Sequence, residues 1–137
     1  MKQFIHAPSI EEMCKEIIKE ENIDIGNAAL GCFLVTPYVS KTIAGQCVKT
    51  NDRLRFFSTY DYIIEMSESV WKELDEVKQR ILCHHELLHI HVVRDENSGE
   101  VKKYGLKDHN IKDFREVIER HGLDWIDTLS DLGATKI

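Results

Sequence analysis

The sequence predicts a single domain in which helices accompany a small sheet, on three observations. An amphipathic helical pattern lies near the N-terminus, short β-branched and aromatic segments fill the middle, and helical spacing returns from Ser67 onward. Residues 9–22, SIEEMCKEIIKEEN, put Ile10, Met13, Ile17 and Ile18 on one helical face, and Ser9 followed by Glu12 has the form of a capping box. NAALGCFLVTP, TIAGQCVKT, RLRFFST and YDYIIEMS then read as strands, with Pro37 closing the first. SESVWKEL reads as a helix capped by Ser67, and DEVKQRILCHHELLHIHVV as a longer one from Asp75 with Val77, Ile81, Leu88 and Val92 in register. RDENSGEVKKYG is a hairpin or loop turning at Asn97 to Gly99. DHNIKDFREVIERHG is a helix begun by an Asn110-to-Asp113 cap and ended by Gly122, and LDWIDTLSDLG is a last helical piece.

The length of 137 residues fits one domain spanning 1–137 with a core that needs no disulfide staples. An apolar content of 42% against 31% charged residues is that of a soluble globular protein, and no apolar run approaches the ~18 residues of a membrane span. The net charge of −6 offers no broad positive field to a nucleic acid. Lys41, Lys49, Arg53 and Arg55, and later Lys102, Lys103 and Lys107, read as solvated loop charges. MKQFIHAPSIEEMCKEII has neither the apolar core nor the cleavage site of an export signal, so the expected location is the cytoplasm. Cys14, Cys32, Cys47 and Cys83 form no C-x-x-C and read as buried thiols.

The stretch ILCHHELLHIHVV, residues 81–93, sets four histidines and a glutamate into an otherwise buried helical pattern. On a helix His85 and His89 lie one turn apart on the same side, so both rings can reach one ion, and Glu86 stands beside them. This is an H-E-x-x-H, the arrangement in which two imidazoles hold zinc and the carboxylate takes a proton from water. Burying these groups without partners costs several kcal/mol each, and a metal satisfies them together. His84 and His91 have no histidine four residues away and are separated by roughly 10 Å of helix rise. Their ordinary reading is as polar groups, either partly exposed or hydrogen-bonded inside.

A hydrolytic zinc site keeps three protein ligands and an open position, so a third ligand is required. Asp95 has the spacing of the H-E-x-x-H-x-x-G-x-x-H/D pattern, but Val92 stands where that pattern needs the glycine that turns the chain back. Glu116 and Glu119 read as solvated helix charges, and His121, before Gly122, suits a helix end without any metal. His109 in KDHN is the stronger candidate, since a short turn ahead of a helix can present its imidazole.

These residues resemble a known group, the phage metallopeptidases of the zincin-like superfamily. The likeness covers roughly residues 60–126 and rests on YDYIIEMSESVWKELDEVKQRILCHHELLHI and DHNIKDFREVIERHGLDW, with His109, Asn110, Asp113, Phe114, Gly122 and Trp125 in the family's pattern. Asn110 departs from it, standing where the family usually has aspartate. A looser similarity is to SprT-like proteases. The resemblance implies His85, His89 and His109 as zinc ligands and Glu86 as the acid/base. It also implies an α+β fold, zincin-like, with a small, mostly antiparallel sheet packed on the motif helix, further helices at both ends, and an edge strand able to pair with an extended peptide.

The leading expectation is therefore a zinc-dependent metallopeptidase, of phage or prophage origin, that cleaves a protein or peptide substrate. Tyr104 and His84 are available as oxyanion donors. A second expectation is a metal-stabilised binding protein that inhibits a host factor without cleaving it. A third, a metal-dependent RNA nuclease with H-x3-H-x5-H spacing, needs histidine where the chain has Asp95. Trp71 and Trp125 read as core residues.

Overall fold

The computed structural model describes residues 1–107. The helices expected from residue 110 onward, and with them His109, Asn110, Asp113, Phe114, Glu116, Glu119, His121, Gly122 and Trp125, lie outside the described residues.

The chain opens with a short strand that the sequence reading missed, β1 (Gln3–His6), and then enters helix α1 (Pro8–Glu20). The helix begins earlier than the Ser9–Glu12 box implies. Pro8 takes the first helical turn, where its missing N–H is harmless, and Ala7 is the cap residue, so Ser9 lies inside the helix and no side-chain cap bond forms. Ile10, Cys14 and Ile17 are buried along α1, with Met13 and Ile18 packed against the core beside them.

β2 (Leu30–Thr36), β3 (Gly45–Lys49) and β4 (Tyr62–Ser67) complete a four-stranded sheet in the order β1-β2-β4-β3. The sheet is mixed: β1–β2 and β3–β4 run antiparallel, while β2–β4 is parallel. Registers of Cys32 with Ile64, Cys47 with Ile64, and Gly45 with Met66 put these residues on one face, since side chains alternate along a strand. That face receives α1 and the motif helix.

RLRFFST is not a strand. Asn51 accepts a hydrogen bond from the Leu54 N–H at 2.8 Å, capping a short helix, α2 (Asp52–Ser58), which ends at Thr59 in the left-handed region at φ 67°. α2 buries no residue, and Phe56 and Phe57 stand exposed with their rings edge to face at 5.2 Å. A strand there would need alternate side chains to enter the core, and the cap offers the backbone a local alternative.

Ser67 begins α3 (Glu68–Trp71), but its hydroxyl is turned to the 39–43 loop, accepting from the Val39 N–H at 2.8 Å and donating to the Ile43 carbonyl. Asp75 caps α4 (Glu76–Leu87) as expected, accepting from the Lys78 N–H at 2.9 Å. Arg80 joins α4 to α1 through Glu16 at 2.8 Å and Glu20 at 2.9 Å, an exposed pairing worth at most about 1 kcal/mol. The anchoring is apolar: Ile81, Leu82 and Leu87 are buried, whereas Val77, expected in the same register, is exposed.

α4 does not run on to Val93. It ends at Leu87, and the chain turns directly into β5 (Ile90–Arg94), paired antiparallel with β6 (Val101–Leu106). Ile90, Val92 and Val93 are β-branched and find hydrogen-bonding partners in β6, which outweighs the helical spacing that Leu88 and Val92 suggest. The Asn97-to-Gly99 turn is formed as expected, with Gly99 at φ 75°. No helix among the described residues is long and apolar enough to cross a membrane. The described fold is thus α+β, a mixed sheet and a separate hairpin with four helices.

The burial pattern separates two aliphatic residues of α4. Leu82→Ala should lower unfolding free energy by about 2–5 kcal/mol in urea titrations, and Val77→Ala by no more than about 0.5 kcal/mol. Equal losses would contradict the orientation of the helix described here.

Candidate active site

α4 presents His84, His85 and Glu86 in its last turn, and the turn that follows carries His89. The backbone stays coiled through that turn, with the Leu88 N–H bonded to the His84 carbonyl at 3.1 Å and the His89 N–H to the Glu86 carbonyl at 3.1 Å. The relation of one turn between His85 and His89 therefore survives the end of the helix. Their rings lie 5.3 Å apart, edge to face.

His89 is oriented by the end of β6. Its Nδ1 lies 2.7 Å from the Lys107 carbonyl oxygen, and the Lys107 N–H donates to the His89 carbonyl at 2.8 Å. A carbonyl oxygen only accepts, so Nδ1 carries the proton and Nε2 keeps its lone pair. Metal-binding histidines are commonly held this way, the far nitrogen donating to a carbonyl or carboxylate so that the other faces the ion. His85 is buried, and His89 retains some exposure.

Glu86 is fully buried, and among the described residues neither of its carboxylate oxygens has a hydrogen-bond partner. Its Oε1 is 3.8 Å from His89 Nε2, and its Oε2 stands against Gly45 on β3, where an added Cβ would lie 3.3 Å away. Burial alone pushes its pKa up to about 8. A carboxyl kept dry and without a hydrogen bond among the described residues is costly to maintain in a merely structural role. The donor set answers whether a metal suits this place: two histidines one turn apart, one with its tautomer fixed, and an adjacent carboxyl with unused oxygens. These residues fit a divalent ion bound through nitrogen.

Asp95 is engaged in the hairpin turn, its Oδ1 accepting from the Asn97 and Ser98 N–H groups at 2.9 and 3.0 Å, which also hold its pKa down. His84 is buried and His91 exposed on β5. Tyr104 turns its hydroxyl to the loop before β2, accepting from the Asn27 N–H at 2.9 Å. Among the described residues no three His, Cys, Asp or Glu side chains are grouped to hold an ion; His109 lies outside them. The four cysteines are free thiols, three of them buried, with Cys14 and Cys32 sulfurs 3.9 Å apart and the thiol pKa of each raised.

Two contributors escaped the sequence reading. The Lys107 backbone left no signal, because any residue supplies a carbonyl. Gly45 did leave one: a glycine inside a strand pattern marks a close approach.

Comparison with known families decides the kinship. A family model described as "Putative phage metallopeptidase" matches residues 2–133. The chain belongs to this family. The match extends well beyond the roughly 60–126 on which the sequence resemblance rested, and the looser similarity to SprT-like proteases is not shown by it. No curated protein and no solved structure matches the chain. As a member of a phage metallopeptidase family, it is a hydrolase at the family level, and the family implies a metal, typically zinc.

The buried carboxyl makes a pH-dependent prediction for the metal-free protein. Because the folded pKa of Glu86 lies above its usual value of 4.5, its stabilising effect is fully present below pH 4.5 and is lost as pH rises toward 8. Glu86→Gln carries no such proton. Relative to wild type, it should gain about 3 kcal/mol in unfolding free energy between pH 5 and pH 8. Parallel pH profiles for the two proteins would show that Glu86 is solvated.

Proposed function

We propose that the whole chain, 1–137, is one zincin-like metallopeptidase domain that cleaves peptide bonds in a protein substrate. His85, His89 and His109 hold zinc, and Glu86 serves as general acid and base. The observation that carries this reading is the orphaned, fully buried Glu86 carboxyl beside His89, whose tautomer is already fixed.

His109 is supported as third ligand by chain reach. Lys107 is hydrogen-bonded to His89 in both directions, and two residues of chain cover at most about 7 Å, so residue 109 starts from a point tied to the second ligand. Asp95, the nearest competitor in sequence, is occupied in its turn.

When bound, the metal supplies a Lewis acid that polarises a peptide carbonyl and acidifies water. Glu86 takes the proton of the attacking water onto a carboxylate oxygen and delivers it to the departing amine. The dry surroundings that raise its pKa favour a group able to hold a proton between these two transfers. The His89 Nδ1–H stays donated to the Lys107 carbonyl, which keeps the ring from turning during the reaction.

The sheet supports an extended substrate. The Ser67 N–H bonds to the Ala44 carbonyl at 2.8 Å and the Thr50 N–H to the Asp61 carbonyl at 3.0 Å. Bonded and non-bonded pairs alternate along an antiparallel ladder, so Gly45 and Cys47 direct their N–H and C=O groups away from β4. Among the described residues β3 has a strand partner on that one side only. A peptide strand added there lies beside Glu86.

The test combines metal content with cleavage of unfolded casein. Wild type should carry about one zinc per chain, His109→Ala should bind it at least about tenfold more weakly, and Glu86→Gln should keep zinc while losing cleavage by about 10³-fold or more. Cleavage retained in Glu86→Gln, or zinc unaffected by His109→Ala, would overturn the assignment of that residue.

A further inference from the structure

We propose that Gly45 is a positioning residue for Glu86: its missing side chain leaves the slot between β3 and α4 that the carboxyl occupies. The inference rests on the reading of Glu86 as the acid/base.

Gly45 is the first residue of β3 and is buried. Its φ lies outside the left-handed region, so its backbone is one that any residue adopts. Conformation is therefore not what a glycine contributes here; space is. A Cβ at this position would meet Met66 Sδ at 2.6 Å, the Glu65 carbonyl oxygen at 3.3 Å and Glu86 Oε2 at 3.3 Å.

Of these three neighbours, the Glu65 carbonyl belongs to the central ladder, with Glu65 in register with Gln46 on β3 and Phe33 on β2, and cannot give way alone. Displacement must fall on Met66 and Glu86. Both are fully buried, so neither can swing into water. Met66 is held in its strand by pairing on both sides and faces the same core as Ile64. Among the described residues no hydrogen bond fixes the Glu86 carboxylate, so packing and the 3.8 Å approach of Oε1 to His89 Nε2 set where its oxygens stand. The closest contact falls on the flexible thioether of Met66, and the Glu86 carboxylate beside it must also give by a few tenths of an ångström, so a new methyl group disturbs the one group whose position matters for proton transfer. A misplacement of about 1 Å at a catalytic group costs on the order of a hundredfold in rate.

The experiment uses the full-length chain and two readouts. In the zinc-loaded protein, Gly45→Ala should keep about one zinc per chain and hold KM for an unfolded casein within about twofold, while kcat falls about 10-fold to 100-fold. In the metal-free protein, Gly45→Ala should lower Tm by about 5 °C, and by half of that or less in a Glu86→Ala background, where the slot has been emptied. Equal losses of Tm in the two backgrounds would show that Gly45 and Glu86 do not share the slot and would overturn the proposal. So would a Gly45→Ala protein with wild-type kcat. Coupled Tm losses in a chain whose wild type cleaves nothing would uphold Gly45 as the residue that places the carboxyl, and would instead refute the peptidase reading.

Discussion

The two hydrogen bonds exchanged by His89 and Lys107 are the constraint on which the site depends. They close the base of the β5–β6 hairpin at the point where α4 ends, so that a chain leaving the helix is brought back to it 18 residues later. One of them also fixes which nitrogen of His89 is protonated. A fold that must keep two imidazoles on one side of a helix would ordinarily continue the helix through both. Here the second imidazole lies past the last helical residue, and the strand pairing of β5 and β6 replaces the missing turns as its support.

Opposite this base stands the sheet. α4 rests on α1 and on β3, so the helix that carries His85 and Glu86 is clamped between another helix and a sheet edge. Ile81, Leu82 and Leu87 anchor it through apolar contact, while His84, His85 and Glu86 are the buried polar residues of the same turn. The raised pKa of Glu86 and its lack of a hydrogen bond among the described residues both follow from its burial between α4 and β3. The same burial strengthens any electrostatic interaction formed there.

The sequence made the candidate residues more legible than the architecture around them. H-E-x-x-H names His85, Glu86 and His89 by spacing, and Asp75 announces the start of α4 by its cap. The end of α4 was hidden because Leu88 and Val92 continue the helical register while Ile90, Val92 and Val93 also suit a strand; the partner that decides between them, β6, is more than ten residues downstream. α2 was misread because Phe56 and Phe57 look like strand residues, while the Asn51 cap that governs them lies just outside the segment. The box at Ser9 and Glu12 lost to Pro8, which starts the helix sooner. Glu86's burial against a glycine on a distant strand is a tertiary fact that only the helix-on-sheet packing creates.

The hairpin between the second histidine and Lys107 also separates a fixed root from a free tip. Its root is tied at His89 and Lys107, while its tip, shaped by Asp95 and Gly99, stands about 17 Å along the strands from that root. Lengthening or recutting the tip leaves the two hydrogen bonds at the root, and with them the orientation of the His89 ring, as they are.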